Sequence, residues 1–500
     1  MAGGSGPFVL AVDQGTSATK AVVFDARGRP CAKAASPLAS GFPRPGFVEQ
    51  DPSGIFRNVL DAVSLCLEAL RREVPDGPGR ISCCGISNQR ETFLLWDGEG
   101  RPLCPAIGWQ CRRSVPVCDR LRKEGMEGEI RRRTGLLLDP YFSATKLLWL
   151  MENDPDARRA VDAGGARFGT VDTWLLWNLS GGASFATDRT NASRTLLYDL
   201  SADRWDRDLM DRWGLSALRM PEVRPSAYAF GETDFRGLLP HPVPIAAMIG
   251  DSHAAAFGEG CFSPGTAKAT MGTGSSILMN VGGRRVHSAG GMVSTICWST
   301  RERTDHALEG IVVTCGATIQ WMRDRLGLFA ESRDTEAMAR AVPDDGGVRV
   351  VPAFAGMGAP WWRPDMKAAI TGLTLGSTKN HIVRAALESV AYQVADVVEA
   401  MGRDAGVAVR ELAADGGLTS NRFVMQLLAD LLGVDVVNRG IEEVSALGAA
   451  CLAGLETGLF RDLEELASFD RQERRFRAGA GSGEAKRCHE EWKQAVRTLL

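Results

Sequence analysis

The sequence predicts an α/β protein of two lobes that repeat one plan, and three observations carry this. An apolar run, a polar turn and a second apolar run open the chain over 8–25, and the same device returns over 266–280. Around both, short apolar runs alternate with stretches whose apolar residues recur at helical spacing. The third is size: 500 residues, 44% hydrophobic and 24% charged, suffice for more than one large core.

In chain order, the opening hairpin gives way to helical spacing from Ile55 to Arg71. Ile81–Ile86 reads as a buried strand running into the polar stretch Ser87–Thr92, and Phe93–Trp96 resumes as a strand closed by Asp97-Gly98. Ile245–Ile249 is another apolar strand and ends in Gly250, Asp251, Ser252 and His253, where the chain is divided into lobes 1–253 and 254–500. Past the second hairpin, Arg384–Met401 reads as an amphipathic helix with Leu387, Val390, Val394, Val397, Val398 and Met401 on one face. Its glutamates, Glu388 among them, are expected in solvent. Leu412–Asp415 enters the turn Gly416-Gly417, and the helix after it places Phe423, Leu427, Leu428 and Leu431 together. Arg471–Gly483 is charged and glycine-rich and is expected to be a surface loop. Cys488, Trp492, Val496 and Leu499 mark the docked face of a terminal helix.

Composition removes several classes of function. The 58 basic and 61 acidic residues leave a net charge of −3, which is no nucleic-acid footprint. No apolar run approaches the ~20 residues that cross a bilayer. Met1–Pro7 lacks the apolar core of a signal peptide. The twelve cysteines are scattered without a Cys-x-x-Cys unit, so reduced thiols in a cytoplasmic protein are expected, and the six histidines show no zinc spacing.

The polar turns carry chemistry. Asp13-Gln-Gly15-Thr16-Ser17, Gly272-Thr273-Gly274-Ser275 and Gly416-Gly417 each join glycine, which lets the backbone approach a ligand, to hydroxyls or an acid. Backbone N–H groups and hydroxyls in such bends donate to phosphate oxygens, and Asp13 is placed to hold magnesium directly or through water. There is no Walker motif and no Gly-x-Gly-x-x-Gly opening a helix after the first strand. What remains is ATP gripped by turns from two lobes. A second substrate needs a base for its hydroxyl proton, and Asp251 at a strand end offers one, or else it caps the helix Ala254–Phe257. Arg90 and Glu91 read as a donor and an acceptor for a small polyol, or as a surface ion pair. Trp109 and Tyr141 read as an apolar wall or as core.

These residues together resemble the FGGY carbohydrate kinases. The resemblance runs from about Phe8 to Phe460 and rests on Asp13–Thr16, Asn88–Thr92, Asp139–Ser143, Phe168–Trp177, Thr190–Thr195, Ala307–Gly310, Val351–Phe354, Gly358–Pro360 and His381–Glu388. It implies the actin/Hsp70-like ATPase fold, two ribonuclease-H-like lobes with the active site between them. It also implies a phosphotransferase acting on a terminal primary hydroxyl, glycerol before all others, with a longer polyol or ketose as the alternative. An actin- or chaperone-like ATPase without an acceptor is the alternative of another class. By position, the resemblance puts Thr16, Ser17, Ala18, Lys20, Thr273, Gly316, Gln320, Gly417 and Asn421 on the nucleotide. It puts Arg90, Glu91, Trp109, Tyr141 and Asp251 around the acceptor, with Asp251 as base and Asp13 at the metal. A homodimer or homotetramer is implied as well.

The departures concentrate at the acceptor. Ser252-His253 stands where the family has two glutamines, and Ser276 where it has a phenylalanine, so both residues are expected in the pocket wall. Losing a ring that buries 150–250 Å² makes room there. Lys20 stands for an arginine, and 234–242 does not match the family's sugar-bisphosphate loop.

Overall fold

The computed structural model describes residues 6–363, 365–469 and 471–499. In the first lobe the strands are β1 (Phe8–Gln14), β2 (Ala18–Phe24), β3 (Pro30–Pro37), β4 (Ile81–Asn88), β5 (Ala227–Thr233) and β6 (Val243–Gly250), ordered β5-β6-β4-β1-β2-β3. The second lobe contributes β7 (Thr266–Met271), β8 (Ser275–Gly282), β9 (Val293–Ser299), β10 (Thr304–Val312), β11 (Glu411–Asp415), β12 (Asp435–Asn438) and β13 (Arg474–Phe476), ordered β9-β10-β8-β7-β11-β12-β13. The two sheets follow one plan. β1 pairs antiparallel with β2 and parallel with β4, which pairs parallel with β6. Likewise β7 pairs antiparallel with β8 and parallel with β11, which pairs parallel with β12.

Helices complete the repeat. α1 (Pro52–Glu73) follows β3, with the Asp51 carboxylate accepting from Ser53 N–H and Pro52 in the first turn. α2 (Asp251–Gly258) follows β6, and α3 (Gly316–Asp324) follows β10. α4 (Lys379–Ala405) starts on a capping box between Thr378 and His381 and stops at Gly406 in the left-handed region. α5 (Arg422–Leu432), α6 (Val444–Glu456) and α7 (Ser482–Thr498) close the chain. The alternating apolar strands bury one core in each lobe, and a third cluster joins them where α2 crosses α6. There the backbones nearly touch: a Cβ on Gly448 would lie 1.9 Å from the Ala254 carbonyl oxygen, so only glycine fits.

Phe93–Trp96 is a strand as expected, in a separate four-stranded sheet with 49–50, 106–107 and 167–170. Other expectations need correction. α4 is a central helix buried almost all round, and Glu388 is buried and paired with Arg384 at 2.8 Å, not in solvent. The expected loop 471–483 contains β13, which extends the second sheet because Phe476 fills its edge. On α5, Val424 and Met425 are buried while Phe423 and Leu427 are only partly so. On α7, Trp492 and Val496 are buried, whereas Leu499 lies past the helix and is exposed. Ten of the twelve cysteines are buried and none is paired. Among the described residues no helix is long and apolar enough to cross a membrane.

Candidate active site

Parallel pairing brings three strand ends to one edge of the first sheet. Asp13 stands opposite Ser87, and Gly250 opposite Asn88, so Asp13, Arg90-Glu91 and Asp251 emerge together. The ends of β7 and β11 meet in the same way in the second lobe, with Thr270 opposite Asp415. Carboxyl ends of parallel strands are where α/β sheets bind ligands. A cavity of about 510 Å³ opens there, lined by Asp13, Gly15, Thr16, Arg90, Glu91, Trp109, Tyr141, Asp251, Ser252, Lys268, Ser276, Glu309 and Asp415, among others.

Its floor is a run of buried charges. The Glu91 carboxylate pairs with Arg194 Nε at 2.6 Å, Arg194 Nη1 with Glu309 at 2.6 Å, and Glu309 accepts from Arg90 Nη1 at 2.9 Å. Arg90 then passes its Nε to Asp251 Oδ1 at 3.1 Å. All four members are buried, and their charges cancel, which is how such groups survive in a dry interior. Burial alone would push the Glu309 carboxyl up; the Arg194 and Arg90 guanidiniums outweigh it and hold it well below the usual range. Arg90 and Glu91 are therefore not a surface pair, and each is held by a different partner. Arg90 Nη2 and Glu91 Oε2 make no hydrogen bond among the described residues, which leaves one donor and one acceptor for a polyol. Glu91 sits at φ 60°, a left-handed backbone that costs on the order of 1–3 kcal/mol and that its buried partner locks in place.

Asp251 does not cap its helix. Gly250 is the cap residue and Asp251 the first helical residue, its Oδ1 accepting from Ser252 N–H and Arg90. Its side chain is 39% exposed, and Oδ2 has no protein hydrogen bond among the described residues. The carboxylate thus has an oxygen available in the cleft. Asp13 shares that cleft: burial, and then the nearby Asp251 charge, push its carboxyl up to about 6 despite a hydrogen bond from Ser87. A divalent cation would relieve that desolvated acid; the Asp415 carboxylate lines the same cavity. Trp109 and Tyr141 stand with ring centroids 5.4 Å apart on the cavity wall, the Trp109 N–H donating to Thr16 Oγ1 at 2.9 Å.

Ser252 and Ser276 meet in the wall at 2.9 Å, where Lys268 donates to Ser252 and Ser276 to Glu309. His253 points away from the cavity. It is fully buried, held 3.4 Å from Thr295 Oγ1, and burial followed by Arg90 keeps its imidazole well below its ordinary pKa.

A second cavity of about 590 Å³ adjoins the second sheet and is lined by Thr273, Gly316, Gln320, Gly417 and Asn421, with Ser332, Arg333 and Glu336. Here backbone dominates. The Gly316 N–H donates to the Gly272 carbonyl and Ala317 N–H to Thr273, docking the turn on the N-terminus of α3. A Cβ on Gly316 would lie 2.6 Å from that Gly272 oxygen. Asn421 caps α5 through Phe423 and Val424 N–H.

Not every expected residue reaches a cavity. Ser17 and Ala18 do not line either one, and Lys20 is engaged by Glu443 at 2.7 Å, bridging the lobes. Sequence reasoning assigned no role to Arg194, Glu309 or Lys268. Glu309 had a signal, a lone carboxylate within the apolar run 307–313.

Two duplicated lobes with strand-end carboxylates and glycine turns facing one cleft define a two-lobed phosphotransferase of the actin/Hsp70-like ATPase fold. The chain belongs to the FGGY family of carbohydrate kinases: the family's N-terminal domain matches residues 8–258 and its C-terminal domain residues 267–457. It is 48% identical over 498 residues to a glycerol kinase of Leptothrix cholodnii and 43% identical over 494 residues to glycerol kinase 2 of Thermotoga maritima, each comparison covering 99% of both chains. The crystal structure of Plasmodium falciparum glycerol kinase with ADP superposes with a TM-score of 0.93 at 32% identity, covering 100% of this chain and 99% of that one.

Proposed function

We propose that this chain transfers the γ-phosphoryl group of ATP to a primary hydroxyl of glycerol. The observation that carries this reading is the Asp251 carboxylate, open to the cleft at Oδ2 and held by Arg90, beside the free donor of Arg90 and the free acceptor of Glu91. Arg90 and Glu91 orient the polyol, with Trp109 and Tyr141 against its carbon chain. Asp251 takes the proton as the acceptor oxygen bonds to the γ-phosphorus, and the bond to the leaving ADP oxygen breaks. Thr16 and the turn at Thr273 face the phosphates; Gly316, Gln320, Gly417 and Asn421 face the rest of the nucleotide. Asp13 would hold magnesium, which would supply charge neutralisation at the phosphates.

The relatives named glycerol kinase support glycerol as acceptor. The buried run of charges speaks against an ATPase that uses only water, which has no need of a polyol site. The test is ADP release with magnesium-ATP and glycerol, dihydroxyacetone, tetritols, pentuloses or gluconate. Glycerol is expected to give the highest kcat/KM. ADP release no faster with any acceptor than with water alone would overturn the reading.

A further inference from the structure

Two serines stand in the acceptor wall with every proton already committed. Lys268, buried, donates its Nζ to Ser252 Oγ at 2.9 Å, and an ammonium only donates. Ser276 lies 3.2 Å from Glu309 Oε1, a carboxylate fixed between two arginines, which only accepts. The serines are 2.9 Å apart. Ser276 has one proton and two acceptors, and the anionic oxygen is the stronger. Ser252 must then supply the proton between the two hydroxyls. The chain runs one way, from Lys268 through Ser252 and Ser276 to Glu309, and each serine keeps a single lone pair.

We propose that this chain makes the acceptor pocket selective for an alcohol over a carbonyl at the carbon next to the reacting one, because the Ser252–Ser276 wall accepts a hydrogen bond and gives none. The inference rests on the kinase reading and sharpens it. Ser252 directly follows Asp251, and both serines line the cavity into which that carboxylate opens; an acceptor whose reacting hydroxyl meets Asp251 is expected to turn its next carbon toward them. A hydroxyl there donates to a serine lone pair. A carbonyl meets lone pair with lone pair and leaves both unsatisfied, the mismatch by which sites that hydrogen-bond a substrate reject its analogue. The acceptor class is thereby polyols in preference to ketoses.

Glycerol and dihydroxyacetone share a skeleton and differ at that carbon, so their kcat/KM ratio reads the wall. The wild type is expected to favour glycerol by about tenfold or more. In Ser276→Ala the Ser252 proton loses its acceptor and turns toward the cleft, so dihydroxyacetone gains and the ratio falls toward one. Ser276→Thr keeps the hydroxyl and the ratio. A wild-type ratio near one overturns the proposal, as does a ratio that Ser276→Ala leaves unchanged or that both variants alter alike, which is what a mere change of volume gives. Acceptor-dependent turnover with glycerol in the same assay keeps these outcomes separate from failure of the kinase reading, in which neither compound stimulates ADP release.

Discussion

The two cavities facing the cleft are built from different materials. The proposed acceptor side is a run of side chains, Glu91, Arg194, Glu309 and Arg90, buried and paired in that order at 2.6–2.9 Å, with Asp251 hung from its Arg90 end. The nucleotide side is mostly backbone: Gly316 packed on Gly272, the Thr273 turn, Gly417, and a helix cap at Asn421. A run of paired charges fixes positions and tolerates no loss of a member, since a stranded ion in a dry site costs several kcal/mol. A backbone cradle depends on close approach and is damaged by bulk instead. One side is therefore expected to fail through charge, the other through size.

Asp251→Asn separates the two most sharply. It keeps the shape and the Arg90 contact but removes the base. Turnover is expected to fall by about 10²–10⁴-fold, with nucleotide affinity, measured by titration calorimetry, nearly intact. Unchanged turnover would remove Asp251 from the chemistry. Gly316→Ala tests the other side: its Cβ presses on the Gly272 carbonyl at 2.6 Å and displaces the turn. Steady-state kinetics should show the KM for magnesium-ATP raised about tenfold, a loss of about 1.4 kcal/mol of binding, with the KM for glycerol little changed.

A further effect lies outside the cleft, on α4, and is read in stability rather than in turnover. Burial pushes the Glu388 carboxyl from 4.5 to about 7, with Arg384 opposing the shift. An acid whose pKa rises on folding holds its proton longer in the folded chain than in the unfolded one. Stability from this group is complete below pH about 4.5 and is lost as pH rises toward 7, by up to about 3 kcal/mol. Glu388→Gln does not titrate, so its Tm should gain on that of the wild type across this window. A constant difference in Tm from pH 4.5 to 7.5 would contradict the assignment.

How far the sequence reached follows the same division. The glycine turns are local in the chain, so Asp13–Thr16, Gly272–Ser275 and Gly416-Gly417 announce themselves, as do the strands that enter them. The run of charges is not local. Glu91 meets Arg194 103 residues away, and Arg90 meets Glu309 219 residues away and in the other lobe, distances that no spacing rule spans. The helix cap at Asp251 failed for a smaller reason: β6 ends on Gly250, which takes the cap position and moves the aspartate into the first turn. Glu388 misled because one apolar stripe on α4 implies a solvated opposite face, and α5 and α7 cover that face instead.

Glu309→Gln, with both substrates titrated, decides whether the buried charges that span the two lobes serve the acceptor and not the nucleotide. The neutral side chain keeps the shape and leaves Arg90 and Arg194 short of one charge. The kcat/KM for glycerol is expected to fall by about 100-fold while the KM for magnesium-ATP stays within about twofold. Equal losses toward both substrates, or no loss toward glycerol, would contradict that role.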